Sequence, residues 1–198
     1  MNILKFILAS LVSLSLICCG GHEQLTKDDF KWMPYTGNET LIFLSNTGEI
    51  DTIFLIAKDT LFAYAEPQAF GSKIYDIVSI QCKHTDTWPP DGKHRYLINE
   101  FMQLSKSEDG KTRIDINLAA KNAHFYKSNG TKIDSLDRLK PTKLSTKSNT
   151  FNDVYIIEDE DWVNFKKRSD YITKIYWSKS KGLIRYDKKD SVYWELSK

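Results

Sequence analysis

The sequence predicts a mainly β domain, about ten antiparallel strands forming a barrel or strongly curled sheet with one or two short helices. Three observations predict it. From residue 40 onward apolar residues recur with a period of two, the segments that carry this period are rich in β-branched and aromatic residues, and turn-forming residues separate them. Many antiparallel strands with one apolar face must bury that face and protect their edges, and curling the sheet does both.

Taken in order, residues 40–45 and 51–57 alternate as two strands of a hairpin, with Asn46, Thr47, Gly48 and Glu49 as its turn. Residues 60–65 repeat the Asp-Thr-apolar-Phe start as a further strand, which Glu66 and Pro67 end. Residues 73–83 put Ile74, Asp76, Val78, Ile80 and Cys82 on one face. Pro89, Pro90, Asp91 and Gly92 then force a loop, and Trp88 beside them is read as folding back over a core edge rather than waiting for a sugar. Residues 94–105 and 111–118 form the clearest hairpin, turning at Glu108, Asp109 and Gly110, with Ile114, Ile116 and Leu118 inward and Arg113, Asp115 and Asn117 toward water. Residues 127–150 are polar and read as a long loop. After a strand at 151–158, acids first and bases last over 159–168 suit a short helix in its own dipole. The chain ends in a meander over 171–177, 183–186 and 192–196, whose Tyr176, Trp177, Tyr186, Tyr193 and Trp194 are expected to fill core rather than stack on a ligand.

The amino terminus has a different character. Lys5 precedes an apolar run of twelve residues, 6–17, too short to span a bilayer as a helix but suited to a secretory signal. Leu16, Ile17 and Cys18 before Cys19 resemble the lipobox of bacterial lipoproteins, with Leu three residues before the modified cysteine and a small residue just before it. Taking Cys18 as the modified residue would put Ser15 and bulky Ile17 at those positions, so the better register selects Cys19. The resemblance implies thioether diacylation and N-acylation of Cys19, more than the two signals stable anchoring needs. The expected organisation is a signal peptide at 1–18, a lipidated tether at 19–35 and one β-rich domain at 36–198. Phe30, Trp32 and Tyr35 alternate at the tether's end, which places that end on the domain. The expected location is the cell envelope, anchored through lipid at the outer membrane, with the face of that membrane left open.

Removing 18 residues from 198 leaves 180, enough for one domain with a sizeable core. Losing Lys5 takes the 28 bases to 27 against 26 acids, so a net charge near +1 offers no electrostatic footprint for nucleic acid. Of three cysteines, Cys18 leaves with the signal and Cys19 carries lipid, so Cys82 has no intrachain disulfide partner. On an alternating strand it is read as a small core residue.

The lipobox, the aromatic meander around Tyr176, Trp177, Gly182, Leu183 and Ile184, and the Asp-Thr-rich strands resemble small cell-envelope lipoproteins of Bacteroidota. That group exports proteins O-glycosylated at Asp-Ser/Thr-apolar tripeptides. Thr52, Thr60, Ser135 and Ser191 lie in such tripeptides, and Ser135, placed in the long loop, is the preferred acceptor. The resemblance carries no activity with it.

Catalytic signatures are missing: there is no Gly-x-Ser-x-Gly elbow, no His-Glu-x-x-His, no phosphate loop and no dinucleotide fingerprint. The nearest approach to a metal ligand set is Cys82, His84 and His94, a thiol and two imidazoles that could hold zinc if the intervening loop folds back. A core role for Cys82 is preferred, and no catalytic residue, metal or cofactor is assigned. His124 stands alone. Three readings follow: a non-catalytic binding or structural module with an envelope protein or glycan as partner, a barrel carrying a small apolar ligand, and an envelope hydrolase, in that order.

Overall fold

In the computed structural model, residues 21–66, 72–86, 95–120, 123–125, 127, 130–160, 171–189 and 191–197 are described. The protein is mainly β, and eleven strands form one antiparallel path curled into a half-barrel, as the period-two pattern predicts. The path begins in the first hairpin, β2 (Thr40–Ser45) and β3 (Ile50–Tyr64), and continues through β4 (Ile74–Asp86), β5 (Arg95–Lys106), β6 (Thr112–Ile116) and β9 (Thr131–Lys132). In the other direction β2 pairs with β14 (Tyr193–Leu196), followed by β13 (Gly182–Lys188), β12 (Ile172–Ser178), β11 (Thr150–Glu158) and β10 (Thr142–Ser145). The two halves of the chain therefore meet along one seam, where Trp194 lies opposite Ser45 and Leu196 opposite Phe43. A two-residue strand β1 (His22–Glu23) joins β4 in parallel, and β7 (Ala119–Ala120) pairs with β8 (Ala123–His124) as a separate small hairpin.

Alternation holds where one face meets the core. Ile114, Ile116 and Leu118 are buried, as are Val78, Ile80 and Cys82. Two segments differ from their sequence-based reading. The strand expected at 60–65 is the continuation of β3, because nothing between Ala57 and Thr60 turns the chain and a bulge at Leu55 and Ala57 absorbs the change of register. The loop expected at 127–150 contains β9, β10 and a five-residue helix, α1 (Ile133–Asp137). Ile133 and Leu136, one helical turn apart, fix it by burying at 4% and 2% exposure. Gly130 makes the entry possible: its φ is +61°, and a Cβ there would meet the Ile114 carbonyl oxygen at 2.7 Å. The helix expected at 159–168 lies outside the described residues except for Asp159 and Glu160, which follow β11 outside any helix, and Trp88 is outside them too.

The C-terminal aromatics divide between the two faces. Trp177, Tyr186 and Trp194 are in the core, while Tyr176 and Tyr193 stand on the other face with the Arg185 guanidinium between them, 5.1 and 3.9 Å from the ring centroids.

The concave side is filled from the N-terminal side. A 3-10 turn at Asp29–Trp32 leads into Met33 and Tyr35, and Trp32, Met33 and Tyr35 are all buried. Trp32 packs on Tyr155 with centroids 4.7 Å apart, and Tyr35 meets Phe101 and Trp177 edge-on. The Tyr35 hydroxyl accepts the Leu183 N–H at 2.7 Å. The turn is tied to the sheet through Asp29, which accepts from Thr26 N–H at 2.7 Å and pairs with the Lys106 ammonium at 3.1 Å. From His22 onward the segment expected as tether is thus built into the domain. Alternating aromatics were the visible sign of it. The cost is that Trp32 and Trp177 bury their indole N–H groups with no acceptor among the described residues, which the ring area outweighs.

Candidate functional site

The feature that periodicity alone does not explain is a buried polar group on the concave side. β3 starts with Asp51, Ile53 and Leu55 turned inward, so a carboxylate occupies a core position at 2% exposure. Opposite β3, strand β4 carries Val78, Ile80, Cys82 and His84 on the same inward face, and His84 is 4% exposed. The His84 Nε2–H donates to both Asp51 oxygens, at 2.9 Å to Oδ1 and 3.1 Å to Oδ2. Tyr186 completes the group by donating its hydroxyl to Asp51 Oδ2 at 3.0 Å. β13 is separated from β3 by β14 and β2, so only the curl of the sheet brings Tyr186 across to Asp51. Burial, then the Asp51 charge beside it, hold the Tyr186 phenol well above its ordinary pKa.

His84 also lines a pocket of about 180 Å³ with Cys82, Asn99, Asn117, Ala119 and His124. Cys82 and His84 form its buried floor, Asn99 and His124 are half-buried walls, and exposed Asn117 is the rim. The β7–β8 hairpin delivers His124, whose backbone bridges to Tyr171. With Nε2 committed to Asp51, the nitrogen of His84 left for a ligand is Nδ1, an acceptor in the neutral ring. The Cys82 thiol is pushed up to about 11 by burial, which a backbone bond at Asn99 offsets only in part. It therefore stays protonated at physiological pH, and protonated thiols are poor nucleophiles and poor ligands.

Among the residues singled out from sequence, Cys82 and His84 share this pocket, whereas His94 and Cys19 lie outside the described residues. The third chemical group beside them is His124, which sequence reading leaves isolated. Among the described residues no three His, Cys, Asp or Glu side chains come together with metal-ligand spacing. Ser135 is half-buried on α1, with its Oγ accepting from Arg138 at 3.4 Å, whereas Thr60 on β3 is exposed. Asp51, the first residue of another such tripeptide, belongs to the buried group. Asp51 is the member of this group that the sequence reading left out, although an acid in phase with Ile53 and Leu55 signals an inward carboxylate in need of a partner, whereas Tyr186 lies in the core as expected and adds its hydroxyl to the group.

Fold and site together define an antiparallel β half-barrel with a small polar pocket on its concave side, oriented by a buried carboxylate. Compared with known proteins, the chain matches no family model, no curated protein and no solved structure.

Proposed function

We propose that the mature protein is a cell-envelope lipoprotein, anchored through acylated Cys19, whose half-barrel is a non-catalytic binding module with the His84 pocket as its ligand site. The observation that supports this reading is the pairing of His84 with buried Asp51 beside a protonated, buried Cys82. An imidazole held by a carboxylate serves equally to activate a nucleophile or to fix the wall of a pocket. Here no hydrogen bond joins the thiol to His84, and residues 82 and 84 stand about 7 Å apart along one strand. The network spends its strength on shape.

The pocket is smaller than the several hundred Å³ of a drug-sized site. Two imidazoles and two amides offer donors and acceptors to a neutral, hydroxyl-bearing group, and in the envelope the terminal unit of a glycan presents such a group. The apolar-carrier reading fits less well, since Trp32, Met33 and Tyr35 occupy the concave side.

The test is an NMR titration of the mature protein in lipid nanodiscs, following the His84 and His124 imidazole signals while neutral monosaccharides are added. Saturable shifts at both rings, abolished by Asn99→Ala, with the sugar recovered unchanged, are expected. A consumed ligand would move the protein to the hydrolases, and silence from both rings would leave it a structural module.

A further inference from the structure

The β3–β4 hairpin runs past the core. β3 keeps its β2 partner only as far as Phe54, and from Ala57 to Tyr64 the described residues pair with it on one side alone, through β4. On this overhang Leu61, Phe62 and Tyr64 are 54%, 58% and 54% exposed. Alternation sends Phe62 and Tyr64 to one face and Leu61 to the other. A protein partner laid on one face of the hairpin leaves apolar surface wet on the opposite face. A lipid interface covers both.

The chain's N-terminal segment runs along this same overhang. β1 pairs with Ile74 and Tyr75 at the near end of β4, and the Ile74 N–H donates to Gly21 O at 3.0 Å. The His22 ring meets Phe62 edge-on at 5.7 Å, while its Nε2 bonds Asp76 Oδ1 at 2.6 Å. Cys19 precedes His22 by three residues, at most about 11 Å of extended chain. Acyl chains on Cys19 therefore enter the bilayer within a headgroup layer's reach of Phe62.

We propose that the overhang of the β3–β4 hairpin around Leu61, Phe62 and Tyr64 rests in the headgroup layer of the membrane that the Cys19 acyl chains enter, and so fixes the orientation of the domain. This rests on the acylation of Cys19. Among the described residues no strand pairs with the outer edge of β3 from Ala57 to Tyr64, and backbone groups on such an edge need water, which keeps the hairpin out of the hydrocarbon. Tyr64 suits that depth, with an apolar ring and a wet hydroxyl. Lys73 is tied to Glu23 at 3.5 Å, and the exposed side chains that carry the contact are Leu61, Phe62 and Tyr64, so it is apolar in origin. Ten residue steps along β4 lead from Ile74 to His84, which holds the pocket up to about 30 Å from the bilayer. The ligand then arrives from the aqueous side.

Nitroxide labels on Leu61→Cys and, at the far sheet edge, on Ser145→Cys test this in the acylated protein on phosphatidylcholine vesicles; buried Cys82 stays unlabelled. Vesicles should cut the accessibility of the label at 61 to a water-soluble relaxant several-fold and raise its accessibility to oxygen, at low and high salt alike. The label at 145 should not change. Intact mass on the same sample reports the anchor separately. An acylated, vesicle-bound protein whose label at 61 stays as wet as that at 145 overturns the proposal and gives the patch to a protein partner. A chain that carries no acyl groups and stays off the vesicles overturns both this proposal and the anchor.

Discussion

Replacing Asp51 with alanine is expected to destabilise the domain by about 3–5 kcal/mol, because the change strips the partner from two buried polar groups at once. Tyr186 is fully buried and His84 is 4% exposed, so the phenol has no water to replace the carboxylate and the imidazole loses its buried partner. For a domain of this size the loss corresponds to a fall in Tm of roughly 10 °C, read from near-ultraviolet circular dichroism. Removing the whole polar group, as Asp51→Leu with His84→Leu and Tyr186→Phe, should cost less than Asp51→Ala alone, since apolar replacement leaves nothing unpaired. A single variant as stable as the wild type, or a triple variant less stable than the single, would contradict the assignment of Asp51 as the hub.

The second large effect concerns the segment that fills the half-barrel. Trp32→Ala should cost about 3–5 kcal/mol in urea unfolding, through lost ring burial and the void left beside Tyr155. The Lys179 ammonium, 4.5 Å from the Trp32 centroid, loses its aromatic partner as well. Deleting residues 22–35, harmless to a true tether, should abolish cooperative unfolding by removing Trp32, Met33 and Tyr35 together. A deletion variant that unfolds like the intact chain would show that these residues merely lie on the domain.

Most of the architecture was legible because period two is a local signal. Each residue of Ile114, Ile116 and Leu118 declares its face through its neighbours, and the turns at Gly48 and Gly110 take the positive φ that glycine permits. The pairing of β14 with β2 was not legible, since strands from opposite ends of the chain carry no mark of their partner. The same limit hid the site. His84 and Asp51 are 33 residues apart and Tyr186 a further 135 from Asp51, so their meeting depends on the curl. Sequence reading places His84 only in a candidate zinc set with Cys82 and His94, whereas its ring nitrogen is the chief partner of a buried acid. The helix α1 was missed because two apolar residues, Ile133 and Leu136, are too few to show a 3.6-residue period inside a polar stretch.

In the proposed reading, position at the membrane governs function: the compartment that supplies a glycan, the β3–β4 overhang at the headgroups and the pocket held toward water. Intact mass of the mature protein extracted from the cells that make it tests that position most directly. The account predicts a chain beginning at Cys19 that carries a diacylglyceryl thioether and an N-acyl chain. An unmodified terminus, or one beginning at Cys18, would contradict it.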